Sequence, residues 1–516
     1  MAFQDTAEGA CWHGQARRLM QRKAHTAATP TIDDMAHTHA PPADQDPAWV
    51  RHLATRLQAQ RVETHISWVL LTGNTAYKLK KPLRLPFLDY STLALRRHWC
   101  EEEVRLNERL APKLYLGVSA VTGPPDAPEI DGQGPVLDYA VRMRRFASGA
   151  LFSEQLMRNV LSTDAVDELA VKIANLHRRA PAWTGPFEAA GVGSRALAAW
   201  DGARRLMPPG DARFLRNWLE ASNAALHATR QERFVSGHVR EGHGDLHLDN
   251  VVSLDGAVAA FDCIEFDPTL RFIDVIDDAC FTLMDFAARS RADLGWRFFN
   301  LWLDETGEHA GLPLLRHGLV YRALVRAQVL ALRGGQAAAH NYAALALTLA
   351  RPARARLAIT HGLPGSGKTF ASQHLLQSWG AVRLRTDVER KRMFGLQPSE
   401  RSAHRGLDIY THEASTRTYG RVLELAAIAL AAGWPTVIDG AFLRREERDR
   451  AHALARRMGV PFGIVACTAD PTVLRQRLAT RRGDASEADA TVLDKLQLAL
   501  EELSPQEQAL VLAEPF

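Results

Sequence analysis

The stretch Leu357-Ala-Ile-Thr-His-Gly362-Leu363-Pro364-Gly365-Ser366-Gly367-Lys368-Thr369 decides the fold of the C-terminal part of the chain. An apolar run of strand length delivers a glycine-rich turn, and helical spacing follows it. Glycines let successive backbone N–H groups turn inward around an anion, and a helix N-terminus adds its partial positive charge. Lys368 reaches phosphate oxygens and Thr369 offers a hydroxyl to a metal ion, so residues 362–369 together are expected to hold ATP and Mg2+.

Working outward, strand-like runs at 356–360, 381–385, 436–438 and 463–467 alternate with helical spacing, which predicts an α/β unit with a parallel sheet. Arg351-Pro352 breaks the helix before the first of these runs, so a P-loop unit is expected over 354–516. Asp439 ends the run Thr436-Val-Ile-Asp439, where a carboxylate can hold Mg2+ through water or simply cap the next turn. Asp387 follows the run 381–385; it suits either a base for an attacking hydroxyl or a helix N-cap. Arg477 and Arg481 lie four apart on one helical face, either as a lid that closes over phosphates or as a solvated basic surface.

These motifs resemble the small P-loop kinases related to zeta toxins, gluconate kinase and polynucleotide kinase, and they are AAA-ATPase-like in their loop. The resemblance covers 355 to about 505. It implies Asp387 as catalytic base; the residues themselves suggest Lys368, Arg477 and Arg481 for catalysis and Thr369 and Asp439 for the metal. It leaves the acceptor open among sugars, nucleotide sugars and polynucleotide ends.

A second constellation lies upstream. His243-Gly-Asp245-Leu-His247-Leu-Asp-Asn250 is followed by Val258-Ala-Ala-Phe-Asp262. Asp245 can accept a hydroxyl proton, while Asn250 and Asp262 can hold metal ions bridging ATP phosphates. Asp274, twelve residues on, is expected to brace this loop through its backbone amides. The pattern resembles aminoglycoside-phosphotransferase-type kinases over about 50–345. That resemblance implies a bilobal, protein-kinase-like α+β fold and a strand lysine paired with a helix glutamate. Lys78 fits the lysine, with Lys80 on the same strand face, and Glu103 fits the glutamate ahead of Glu102. No GxGxxG loop precedes Lys78; the hairpin turn there is Thr72-Gly73-Asn74.

The expected organisation is a disordered segment over 1–45, a kinase-like unit over 46–350 and the P-loop unit. Within the kinase-like unit the small lobe covers about 50–146 and the helical large lobe about 147–350. Strands are expected at 65–71, 76–80 and 136–143, and a helix at 92–110. This order of modules resembles bacterial fused proteins that join an aminoglycoside phosphotransferase to an ATP-binding P-loop unit.

Composition narrows the function further. The 516 residues carry a formal charge of +4, with lysine and arginine spread along the chain, which disfavours a nucleic-acid partner. The five cysteines are scattered with no metal spacing, there is no membrane-spanning run, and the N-terminus lacks a secretory pattern, so a cytosolic protein is expected. The leading reading is a bifunctional kinase acting on small-molecule hydroxyls. The alternatives are a regulatory protein with a ligand-binding pseudokinase half and an ATP-driven switch or, less favoured, a nucleic-acid end kinase.

Overall fold

The computed structural model describes residues 47–512 except 86–87, 188–190, 352–353, 481–485 and 488–489. The segment 1–45, predicted to be disordered, lies outside the described residues. The chain is a multidomain protein, with a bilobal α+β unit followed by an α/β P-loop unit.

The small lobe opens with α1 (Ala48–Arg56), followed by β1 (Gln60–Glu63), β2 (Ser67–Leu71) and β3 (Thr75–Lys80). β2 and β3 form the predicted hairpin, with Val69 opposite Lys78. Two short strands, β4 (Arg84–Leu85) and β5 (Leu88–Asp89), lead to α2 (Leu93–Asn107), whose N-cap Thr92 accepts a hydrogen bond from the Leu95 amide. β6 (Tyr115–Thr122), β7 (Glu129–Ile130) and β8 (Val136–Arg144) complete an antiparallel sheet of order β1-β2-β3-β8-β6-β7. β6 escapes the sequence reading because a bulge between Tyr115 and Gly117 breaks its alternation. Val50 and Leu53 of α1 pack with Trp68, Leu70 and Leu79 on one side of this sheet.

The large lobe begins with α3 (Phe152–Met157), α4 (Thr163–Arg179), α5 (Val192–Ala203) and α6 (Pro209–Val235). Two two-stranded sheets then place the loop from His243 to Asn250: β9 (Val239–Glu241) pairs with β12 (Phe272–Asp274), which follows α7 (Pro268–Arg271), while β10 (Val251–Leu254) and β11 (Ala257–Ala260) form a hairpin. α8 (Val275–Ala288) is buried from Val275 through Phe286, so it is the central post of the lobe. α9 (Ala292–Thr306), α10 (Leu312–Leu332) and α11 (Gln336–Ala350) surround it.

The P-loop unit alternates β13 (Leu357–His361), α12 (Lys368–Trp379), β14 (Val382–Arg385), α13 (Thr386–Met393), α14 (His412–Ala431), β15 (Thr436–Asp439), α15 (Arg445–Met458), β16 (Phe462–Ala466), α16 (Pro471–Thr480), α17 (Ala490–Leu498) and α18 (Pro505–Gln508). The four strands run parallel in the order β14-β15-β13-β16. β13 and β15 are buried at every position, as a parallel sheet covered on both faces requires.

One apolar core runs from the large lobe into this sheet. Trp434, just before β15, packs edge-on against Trp296 of α9 at 5.4 Å, and its indole N–H donates to the Leu312 carbonyl. The Arg316 guanidinium covers the same indole at 4.4 Å. Among the described residues no helix is long and apolar enough to cross a membrane.

Candidate functional sites

In the P-loop unit the sheet delivers its loops to one edge. After β13 the chain turns at Gly362, whose φ of 142° leaves room that a Cβ would fill; it would sit 2.2 Å from the Cys467 carbonyl oxygen. Only glycine fits there. Lys368 begins α12 and arches back, its Nζ donating to the Leu363 carbonyl at 2.7 Å. Among the described residues Ser366 Oγ is buried without a hydrogen-bond partner, an orphaned donor inside the loop that fits an anion lodged there.

Asp439, at the end of β15, accepts from Ser372 Oγ at 3.1 Å, and its backbone oxygen accepts from Thr386 Oγ1 at 3.2 Å. Asp387 does not cap α13; the N-cap position belongs to Arg385, which makes no capping bond. Asp387 instead stands in the first turn, with Arg390 Nη1 donating to its Oδ1 at 3.4 Å. Arg477 of α16 donates from Nη1 to the Gly365 carbonyl at 3.0 Å, so this arginine touches the loop directly. Arg481 lies outside the described residues.

A cavity of about 1230 Å³ joins these groups. Residues 364–369, Asp387, Asp439 and Arg477 all line it. It is also lined by Arg385, Arg390, Tyr410 and His412, which the motif reading leaves unassigned. Arg385 and Arg390 flank Asp387 in sequence and were readable as neighbours of it; Tyr410 and His412 come from a connection with no motif. The Arg390 guanidinium lies 4.8 Å over the Tyr410 ring. Burial, with Asp387 nearby, pushes the Tyr410 hydroxyl well above its usual range.

In the kinase-like unit Lys78 Nζ lies 2.9 Å from Glu103 Oε1 and 2.5 Å from Asp262 Oδ1. Lys80 also meets Glu103, Nζ to Oε2 at 2.7 Å, and pairs with Glu265, which in turn accepts from the Tyr90 hydroxyl at 2.5 Å. The two strand lysines and three carboxylates thus form an alternating ladder, Asp262–Lys78–Glu103–Lys80–Glu265. Glu102, the rejected alternative, faces Arg105 and Arg271. Burial opposes ionisation of Lys78, but Asp262 and Glu103 outweigh it and hold the ammonium charged.

Asn250 donates from Nδ2 to the Asp245 carbonyl at 2.9 Å and to its carboxylate at 3.2 Å, and His247 Nε2 lies 3.3 Å from the same carboxylate. Burial works to raise the Asp245 carboxyl, but His247 and Arg326 hold it well below the usual range. Asp262 stands in left-handed backbone at φ 63°, its amide donating to the Tyr115 hydroxyl.

The bracing role expected of Asp274 belongs elsewhere. Asp278 accepts from the amides of His243 at 2.7 Å and Gly244 at 2.9 Å, with His177 Nε2 3.0 Å away. Asp274 caps α8 and pairs with Arg233. Four residues separate the two aspartates, one helical turn of α8, so a spacing count could not choose between them. Among the described residues no three His, Cys, Asp or Glu side chains are grouped to hold a metal unaided. A magnesium ion shared with nucleotide phosphates needs only one or two protein carboxylates, which Asp439 and Asp262 fit.

Residues 357–503 match the family described as an AAA domain. Over 447 residues the chain is 29% identical to an uncharacterized protein of Mycobacterium tuberculosis, covering 83% of this chain and 88% of that one. Among solved structures, a sugar kinase from Janibacter sp. aligns at 22% identity and a TM-score of 0.24, covering 30% of this chain and 82% of that one. A choline kinase from Cryptosporidium parvum aligns at 10% identity and a TM-score of 0.36, covering 57% and 86%.

Proposed function

We propose that the chain is a bifunctional phosphotransferase of the reducing cytoplasm, each half moving the γ-phosphoryl group of ATP to a hydroxyl of a small molecule. The observation that carries this reading is the shared cavity of the P-loop unit. Its walls hold the phosphate-type loop, Asp439, Arg477 and Asp387, and its volume of about 1230 Å³ leaves space for an acceptor beside a nucleotide.

In that half the amides of 362–369 and Lys368 bind the phosphates, and Thr369 and Asp439 hold Mg2+. The metal, when bound, neutralises charge on the phosphoryl oxygens. Asp387 orients the acceptor hydroxyl and takes its proton on a carboxylate oxygen as the new O–P bond forms and ADP departs. Arg477, with Arg481, completes the charge around the loop and excludes water. In the other half Asp245 takes the hydroxyl proton, Lys78 held by Glu103 engages phosphate, and Asn250 and Asp262 hold metal.

A second reading, a ligand-binding regulatory first half, is favoured by one feature: Asp262 is ion-paired to Lys78, so nucleotide and metal must displace that contact. Lys368→Ala and Asp245→Ala, assayed separately with a panel of hydroxyl acceptors, separate the two. Each is expected to abolish a different transfer activity by a factor of about 100 or more, roughly 3 kcal/mol of transition-state stabilisation. If Asp245→Ala leaves every activity intact, the first half is a binding module.

A further inference from the structure

The P-loop site borrows a charged residue from the other half. Asp304, near the C-terminal end of α9 in the large lobe, is 2% exposed and points across the junction toward β14. Among the described residues its Oδ2 makes no hydrogen bond, and it lies 3.5 Å from Arg383 Nη2 and 3.9 Å from Arg385 Nη1. The same Arg385 presents its Nε to Asp439 Oδ2, again at 3.9 Å. One guanidinium therefore stands between two carboxylates, one from each half of the chain.

The surroundings hold this geometry firmly. Asn300, one turn earlier on α9, treats the edge of β14 as a neighbouring strand would: Nδ2 donates to the Ala381 carbonyl at 2.9 Å and Oδ1 accepts from the Arg383 amide at 2.6 Å. Beyond β14, Arg392 of α13 donates to the Asp304 carbonyl at 2.5 Å. The segment carrying Arg385 and Asp387 is thus clamped to α9 at both ends.

We propose that Asp304 is a positioning residue for the P-loop site, sharing Arg385 with Asp439 so that the Asp439 carboxylate stays available to the metal. This rests on the reading of Asp439 as the metal-facing carboxylate. With Asp304 neutralised, Arg385 loses one of the carboxylates that face it, and its pairing with Asp439 competes more strongly with the cation. A purely structural role for Asp304, neutralising buried Arg383, leaves that competition unchanged.

The test uses the full chain and a fluorescent N-methylanthraniloyl ATP, titrated with Mg2+; the signal removed by Lys368→Ala is the part that belongs to the P-loop half. Asp304→Asn is expected to raise the Mg2+ concentration at half-maximal binding by about 3- to 10-fold. Arg385→Gln is expected to lower it, and Asp304→Asn/Arg385→Gln to return to within about twofold of Arg385→Gln, since the arginine carries the effect. A wild-type Mg2+ requirement in Asp304→Asn, or a double variant that simply adds the two single effects, overturns the proposal. Should Asp304→Asn fail to fold, judged by its melting temperature, Arg385→Gln decides: an unchanged or raised Mg2+ requirement overturns it. If Lys368→Ala removes no signal, the nucleotide reading of the loop fails first and takes this inference with it.

Discussion

Replacing Lys80 by Met tests the ladder in the small lobe. Lys80 is fully buried, and at an effective dielectric constant of about 20 its 2.7 Å contact with Glu103 is worth roughly 6 kcal/mol before desolvation is subtracted. Removing the cation leaves Glu103 with Lys78, but Glu265 loses its ammonium partner in a site only 4% exposed. Breaking a buried pair from one side costs about 3–5 kcal/mol, which for a cooperative unit of this size corresponds to a fall of roughly 3–8 °C in Tm. The pH dependence gives the cleaner signature. In the native chain the two lysines, against the effect of burial, hold Glu103 down to about 2. That stability is fully present above the unfolded carboxyl pKa of about 4.3 and is lost as pH falls toward 2. In Lys80→Met, Glu103 keeps only the Lys78 ammonium, so less of this carboxylate stability remains to be lost on acidification and the variant is less destabilised at pH 3 than at pH 5. Thermal unfolding at both pH values measures this, and Lys80→Met/Glu265→Gln should recover much of the loss. A Lys80→Met protein within about 1 kcal/mol of wild type, or equally destabilised at pH 3 and pH 5, would refute the reasoning.

Other outcomes follow from single sites. Gly362→Ala drives a Cβ against the backbone carbonyl of Cys467, so the part of the Mg·ATP-induced rise in Tm that Lys368→Ala also removes, worth up to about 3 kcal/mol at 100 times Kd, should vanish in a thermal-shift assay. Asp278→Asn removes the charge that holds two amides of the catalytic-type loop; transfer by the first half should fall at least about tenfold while Lys368-dependent activity is retained. His309 and His317 are buried neutral, burial holding each down to about 3, so the unfolded chain binds more protons than the folded one below pH 6.5. Stability should therefore fall by roughly 1.4 kcal/mol per pH unit per histidine as pH drops from about 6.5 toward 3, and His317→Phe should flatten that slope in calorimetry.

Much of both sites was legible because their chemistry is written locally. The loop 362–369 and the run from His243 to Asn250 hold their residues in short stretches, and a tight turn brings such stretches to one point whatever the rest of the fold does. Lys78 and Glu103 come from different elements, yet the strand and helix that carry them have clear periodicity, and the structure brings them together. Residues whose meeting depends on tertiary packing were not legible. Lys80 and Lys78 share a strand face, and nothing in the sequence says that both would meet Glu103, or that Glu265 would take the second. Tyr410 and His412 reach the P-loop cavity from an irregular connection. Asp278 was missed in favour of Asp274 because both lie at the start of one buried helix, and only the packing of α8 decides which carboxylate faces the loop.

The junction between the halves is the largest feature the sequence left unwritten, and it constrains how the protein works. A strand edge exposes unpaired N–H and C=O groups, and here Asn300 satisfies one of each on β14. Trp434 fills the space under Trp296, and Gly380, with φ 64°, lets the chain pass where a Cβ would meet the Trp296 indole nitrogen at 2.8 Å. Residues 354–516 expressed alone would expose this apolar face and the unpaired edge together. They should aggregate or melt well below the full chain, while Asn300→Leu in the full chain, leaving the Arg383 amide and Ala381 carbonyl unpaired in a buried site, should cost about 2–4 kcal/mol. A soluble fragment melting at the temperature of the full chain would mean that the two cores are separable. With separable cores, α9 would be a neighbour of the P-loop sheet and not part of its foundation.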